Sequence, residues 1–137
     1  MKTLHTSLRV ADLARSLRFY EAVGFEEIGR VSPSQGTTLV MLNLPGDGDV
    51  VTLELAAESE TRLERGNGLS AIAIQVDDLA ATLRDFATRG IEVEPIQHPG
   101  GPDGPQTSFI EDPDGYRFEL VQWPAGHARE MTRADWR

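Results

Sequence analysis

HTSLRVADLARSLRFYEAVGFEE, residues 5–27, and AIAIQVDDLAATLRDFATRGIEV, residues 71–93, are two versions of one segment. A shift of 66 residues aligns them without a gap. Further along, Leu53-Glu54-Leu55 aligns with Phe118-Glu119-Leu120 at a shift of 65. A repeat of this kind indicates a duplicated structural unit, so we expect two similar modules in one chain.

Each copy begins with alternating residues, which predicts a strand. In the first strand Leu4, Thr6, Leu8 and Val10 share one face, and His5, Ser7 and Arg9 share the other. In the second copy Ile72, Ile74 and Val76 share one face, opposite Ala71, Ala73 and Gln75. Helices are predicted to follow both strands, capped by Asp12 and Asp78 and ended at Gly24 and Gly90.

Three extended segments follow each helix, at residues 25–32, 37–44 and 49–56 and at residues 91–96, 106–111 and 115–122. Turns are predicted at Pro33 and at residues 45–48, 99–102 and 112–115. The predicted fold is therefore α+β, with tandem βαβββ modules that form an open, cupped sheet around a shared cleft. We expect one domain over 1–137, with module one at about 1–57, a linker at about 58–67, module two at about 68–122 and a tail, a short helix or an arm, at about 123–137.

The composition narrows the class of protein. The net charge is −9 and the pI is near 4.7, which argues against nucleic acid or an anionic membrane as a partner. Cysteine is absent, so there is no thiolate metal site and no cysteine nucleophile. No apolar run approaches the roughly 20 residues that span a bilayer. We expect a cytoplasmic protein that acts on a small molecule.

The strand pattern also predicts which polar side chains meet. Leu53 and Leu55 are assigned to the core, so Glu54 faces the cleft, and by the same alternation Glu119 and Arg117 face it from the last strand. A glutamate flanked by apolar residues is costly to bury without a cation or hydrogen bonds. With His5 on the same side, a divalent metal held by imidazole and carboxylates satisfies this demand.

Other polar residues carry weaker signals. A single strand glutamate often lies on a solvated face, and a lone histidine is usually structural or exposed. His98 and His127 are taken as surface residues, and Asp112 and Asp114 as parts of a turn.

The residues Leu4–Val10, with Asp12, Ser16 and Phe19-Tyr20, and the closing run Glu111–Leu120 resemble the vicinal oxygen chelate superfamily. Within it they are most similar to bacterial glyoxalase I. The resemblance covers the chain up to about residue 122. It implies paired βαβββ modules, usually in a homodimer whose metal cleft is built from both subunits.

The resemblance also implies roles for individual residues. Three metal-ligand positions match His5, Glu54 and Glu119, while the fourth, a histidine in the family, falls on Ala71. Glu119, with Glu54, is implied as the proton-transferring catalytic residue.

Substrate-binding residues are predicted on the same faces. The resemblance assigns Arg9 to glutathione contact and places Glu58 where an asparagine is expected. Ser7, Gln75 and Arg117 are further substrate-binding candidates because they face the cleft, and Gln75 offers an oxygen in place of the missing nitrogen ligand.

The leading hypothesis is a metal-dependent lyase or isomerase that acts on a hemithioacetal through an enediolate. It would use one divalent ion per site, nickel, cobalt, zinc or manganese, bound weakly because of Ala71. The alternative is a metal-free binding protein of the bleomycin-resistance type, which Ala71 favours. An extradiol dioxygenase would need a histidine at position 71, and the alanine there counts against that activity.

Overall fold

The computed structural model describes residues 1–127 and 130–136 and divides into two compact units. The first unit comprises Met1–Gly68 with Asp112–Tyr116, and the second comprises Leu69–Glu111 with Arg117–Arg137. Together they have the predicted α+β class, with two βαβββ-like modules built on open mixed sheets.

The first unit contains a four-stranded sheet, one α-helix and a short 3-10 helix, Pro45–Asp47, between its third and fourth strands. Its elements in chain order are β1 (Thr6–Arg9), α1 (Leu13–Val23), β2 (Glu26–Ser34), β3 (Thr37–Asn43) and β4 (Leu53–Glu58). The strand order across the sheet is β1-β4-β3-β2, with β1 parallel to β4 and the other pairs antiparallel. The central strand β4 therefore carries Glu54 next to β1, whose N-terminal neighbour in the chain is His5.

The second unit contains a smaller sheet. Its elements are β5 (Ile72–Gln75), α2 (Leu79–Thr88), β6 (Gln106–Glu111) and β7 (Arg117–Gln122), with strand order β5-β7-β6. A short 3-10 helix, Arg133–Trp136, lies in the tail. The tail prediction also covered residues 128, 129 and 137, which lie outside the described residues.

The N-caps of both helices and the C-cap of α1 agree with the prediction, whereas α2 ends at Thr88 with Arg89 as its C-cap, one residue before Gly90. Asp12 and Asp78 accept hydrogen bonds from the backbone N–H groups of Arg15 and Ala81, each three residues into its helix. Gly24 ends α1 in the left-handed region at φ 119°, a conformation that a side chain would strain.

Four predicted details are wrong. The segment 91–96 is not a strand: the Glu94 N–H donates to the Phe109 carbonyl, and an isolated bridge follows between Gln97 and Thr107. Pro95, which lies between these two contacts, has no N–H to continue a ladder. β2 runs through Pro33 instead of turning there, which an edge strand with bulges tolerates.

β4 begins at Leu53 and not near residue 49. Leu4 precedes β1 and is 73% exposed, so it does not share the buried face of Leu8.

One buried polar contact in the first unit was not foreseen. Tyr20 is fully buried and donates a 2.6 Å hydrogen bond to Asp112, itself only 4% exposed. The other oxygen of Asp112 accepts from the backbone N–H groups of Asp114 and Tyr116. Asp112 therefore does more than form a turn, because it satisfies the only polar atom of a large core side chain.

Removing the Tyr20 hydroxyl tests this contact. Burial raises the pKa of Asp112, and the hydrogen bond from Tyr20 opposes that rise. A carboxyl group whose pKa is raised on folding contributes stability below its ordinary pKa and loses it as the pH rises through the raised value. We expect Tyr20→Phe to lower the free energy of unfolding by about 1–3 kcal/mol at neutral pH, and by less at about pH 4, measured by urea unfolding.

Tyr116→Phe is the matched control. The Tyr116 hydroxyl donates to the uncharged backbone carbonyl of Arg9 at 2.8 Å, so its loss should cost stability without the same dependence on acidic pH. Equal pH dependence in the two variants would contradict the role given to Asp112.

Candidate functional site

Glu54 lies between two polar side chains of the first unit. The Ser7 hydroxyl donates a 2.6 Å hydrogen bond to its Oε1, and His5 Nε2 lies 3.4 Å from its Oε2. The His5 and Glu54 side chains are 20% and 13% exposed. A separation of 3.4 Å is long for a hydrogen bond, so one carboxylate oxygen is held by Ser7 while the other faces the imidazole across a small gap.

The register of the first sheet explains this grouping. Ser7 pairs with Glu54, Glu54 with Met41 and Met41 with Gly29, so these four residues form a row across all four strands. Paired residues of neighbouring strands lie on one face of a sheet. Leu53 and Leu55, on either side of Glu54, are buried on the other face at 3% and 0% exposure.

The next row of the same face ends at Arg9, which forms an ion pair with Glu58. Val31, Leu39, Ala56 and Arg9 are in register, and Arg9 Nη2 lies 3.4 Å from Oε1 of Glu58. Hydrogen bonds from Thr61 and Arg9 lower the pKa of Glu58, so its carboxylate is ionised at neutral pH. We call this side the open face of the first sheet, comprising Ser7, Arg9, Leu39, Met41, Glu54 and Glu58.

Glu119 has different neighbours on the second sheet. It pairs with Ala73 on one side and with Phe109 on the other, while Phe118 and Leu120 are buried at 1% and 0% exposure. No hydrogen bond to its carboxylate is found within residues 1–127 and 130–136. We call this side the open face of the second sheet, comprising Ala73, Gln75, Phe109, Arg117 and Glu119.

Arg117 is fixed on that open face by two neighbours. Its Nη2 lies 2.9 and 3.1 Å from the two carboxylate oxygens of Glu94, and its guanidinium stacks over the Phe109 ring at 4.3 Å. Both arginines that the sequence assigned to substrate binding, Arg9 and Arg117, are therefore paired with a glutamate.

Gln75 is engaged by the tail of the second unit. Its side-chain oxygen accepts a 2.9 Å hydrogen bond from the Trp123 indole N–H, and the Trp123 ring stacks on His127 at 4.5 Å between centroids. His127, taken as a surface residue from its position in the sequence, is 28% exposed and lies 3.6 Å from Asp135. Ala71 lies immediately before β5, and its methyl group occupies the position at which the family pattern has a histidine ligand.

The two units thus hold different parts of the predicted site. His5, Ser7, Arg9, Glu54 and Glu58 lie in the first, and Gln75, Arg117 and Glu119 lie in the second. Across the described part of the chain, no three His, Asp or Glu side chains form a group that could hold a metal ion. Within the first unit, two of the predicted ligands, His5 and Glu54, lie 3.4 Å apart. Also within the described residues, no helix combines the length and the apolar character that a bilayer crossing requires.

Comparison with known proteins gives the family. Residues 2–120 match the family model of the glyoxalase/bleomycin resistance protein/dioxygenase superfamily. The chain belongs to this superfamily, as the repeat and the motifs indicated.

Individual relatives are consistent with that membership. The chain is 34% identical over 129 residues to a lactoylglutathione lyase of Neisseria meningitidis serogroup A, covering 92% of this chain and 94% of the relative. It is also 34% identical to the lactoylglutathione lyase of Haemophilus influenzae over 89% of this chain and 93% of that protein. Among solved structures, the trypanothione-dependent glyoxalase I of Leishmania major is 32% identical with a TM-score of 0.68, covering 89% of this chain and 86% of that one.

Proposed function

We propose that the protein is a glyoxalase I-like, metal-dependent lyase or isomerase that acts on a hemithioacetal. The observation that carries the proposal is the Ser7–Glu54–His5 arrangement, in which a carboxylate oxygen and an imidazole nitrogen lie 3.4 Å apart. Relatives at 34% identity are named lactoylglutathione lyases, and the same activity class is our proposal for this chain.

The spacing of His5 and Glu54 fits two ligands of one ion. Ligand atoms about 2.1 Å from a common tetrahedral or octahedral centre lie about 3.0–3.4 Å from each other. Nickel, cobalt, zinc and manganese all accept a donor set of imidazole and carboxylate. Ser7 would act as the outer partner that orients the liganding carboxylate.

Glu119 would be the third ligand and the main proton-transferring residue. Glu54 has a hydroxyl partner that restrains it, whereas Glu119 has Ala73 and Phe109 beside it. A carboxylate that no hydrogen bond restrains is freer to move between substrate atoms, as a general base and acid must. What a divalent ion supplies when bound is Lewis acidity, which polarises vicinal oxygens and stabilises the negative charge that develops as the proton leaves carbon.

We further propose that the site is completed in a cytoplasmic homodimer, as the family resemblance implies. The metal would be held weakly, because Ala71 adds no nitrogen to His5, Glu54 and Glu119. The identity of the thiol is not transferable from the relatives, since one of them is described as trypanothione-dependent and others are named for glutathione.

Metal content of the purified protein tests the ligand set. We expect about one bound divalent ion per chain after equilibrium dialysis against nickel or zinc, from elemental analysis of both compartments. His5→Ala and Glu54→Gln should lose it, because each removes one of few ligands. His98→Ala, which removes an exposed histidine elsewhere in the chain, should retain it. Metal loss in all three variants, or in none, would contradict the assignment.

The assignment of Glu119 predicts a kinetic effect. Glu119→Gln should lower kcat by about 10²–10⁴-fold, because the proton between adjacent carbons loses its carrier. The measurement is turnover of hemithioacetals, with the bound metal of each preparation quantified. Glu21→Gln, an exposed position on α1, is the control and should remain active. Wild-type turnover by metal-loaded Glu119→Gln protein would refute this role.

Restoring the missing nitrogen gives an independent test. Ala71→His should strengthen metal binding about tenfold or more, because it adds a neutral ligand at the position that the family pattern assigns. Competition with a chromophoric chelator measures the change. Unaltered affinity would mean that residue 71 does not face the ion.

A second candidate function is sequestration of a small molecule without metal, as in bleomycin-resistance proteins. Ala71 is the observation that favours it, because a binder needs no fourth ligand. Such a protein would bind one ligand per site in calorimetry, and treatment with a chelator would leave that binding unchanged.

A further inference from the structure

The open faces of both sheets carry arginines whose charge is already compensated. Arg9 is the only arginine or lysine that β1 to β4 place on the open face of the first sheet, and it contacts Glu58 at 3.4 Å. Arg117 is its counterpart on the second sheet and meets both oxygens of Glu94 at 2.9 and 3.1 Å. The two ion pairs lie in different units, and in each of them a glutamate neutralises the positive charge of the arginine.

We propose that Glu58 and Glu94 are specificity-determining residues that neutralise Arg9 and Arg117, so that the enzyme takes the adduct of an α-oxoaldehyde with a thiol that bears no carboxylate. This inference rests on the proposed function and concerns the part of the substrate that does not react. Glutathione, with two carboxylates, would be a poor carrier.

The argument is one of net charge on the binding surface. A carboxylate that approaches Arg9 meets Glu58 at the same time, and the whole chain carries a net charge of −9. Like-charge juxtaposition disfavours an anionic ligand and lowers its rate of association. A neutral ligand carries no such penalty, and the apolar side chains of Leu39 and Met41 in the adjoining positions of the open face suit an uncharged one.

Both glutamates are held where they can act in this way. Glu58 receives hydrogen bonds from Thr61 as well as from Arg9. Arg117 is fixed by stacking on Phe109, which keeps its Nη2 beside Glu94. Neither pair is deeply buried: Arg9 and Arg117 are 46% and 41% exposed. Exposed ion pairs contribute little to folding, so glutamine at either position should leave the fold intact.

The test compares two thiols in variants matched for charge. Glu58→Gln/Glu94→Gln removes the two glutamates of the pairs, and Glu60→Gln/Glu92→Gln removes two exposed glutamates from the same segments. With metal-loaded protein, kcat/KM is measured for the methylglyoxal adducts of glutathione and of 2-mercaptoethanol. We expect wild type to prefer the mercaptoethanol adduct. The ratio for glutathione over mercaptoethanol should rise about tenfold in the first double variant and stay unchanged in the second.

Three results would overturn the proposal. They are a wild-type preference for the glutathione adduct, equal shifts in the two double variants, and no shift in either. Equal shifts would mean that overall charge, and not these two pairs, sets the preference.

A binding measurement separates this proposal from the proposed activity. If neither adduct is turned over, the lyase assignment fails, and calorimetry with S-hexylglutathione and hexyl 2-hydroxyethyl sulfide decides the charge argument alone. Tighter binding of S-hexylglutathione by Glu58→Gln/Glu94→Gln than by wild type or by Glu60→Gln/Glu92→Gln would support it. Equal binding, or no binding to any of the proteins, would refute it.

Discussion

The alternation of side chains along β4 and β7 is the constraint on which the rest of the molecule depends. Each strand places one glutamate between two core residues, so the same short segment builds the hydrophobic interior and supplies an acid on the opposite face. A slip of one residue in either strand would bury the glutamate and expose the core residues on either side of it, at a cost that the chain cannot offset. The position of each acid is therefore fixed by the packing of its neighbours.

Duplication followed by divergence accounts for the difference between the two acids. Positions 5, 7 and 9 carry His, Ser and Arg, whereas the equivalent positions 71, 73 and 75 carry Ala, Ala and Gln. Glu54 consequently has an imidazole and a hydroxyl beside it, while Glu119 has a methyl group and an aromatic ring. One carboxylate is held and the other is not, which gives the two halves different chemical capacities on a common scaffold.

The sequence predicted the modules, the helix caps and the outward faces of Glu54 and Glu119, because all of these follow from local periodicity and capping chemistry. It also placed His5 on the side of Glu54, and the two side chains are indeed close. The roles of these residues, and the shared cleft, stay predictions. The partners of Glu58 and Glu94 and the burial of Asp112 could not be predicted, since they depend on contacts between residues far apart in the chain. The hydrogen bond between Asp112 and Tyr20 could not be predicted from the Asp-Pro-Asp-Gly run. That run predicts a turn whether its first carboxylate is solvated or is buried against a tyrosine.

The exposed edge strand β2 has a consequence for the behaviour of the protein at high concentration. A strand of nine residues with one side unpaired offers backbone groups to any other extended chain, and Ile28 and Val31 are about half exposed on it. Pro33 removes one N–H from that edge, and two bulges bend the strand so that a straight partner does not fit. In the second unit, Pro95 reduces the corresponding segment to a bridge. Each copy thus carries a proline at a place where an extended segment could recruit another chain, and in the first unit the two bulges add to its effect, so both segments discourage intermolecular sheet growth.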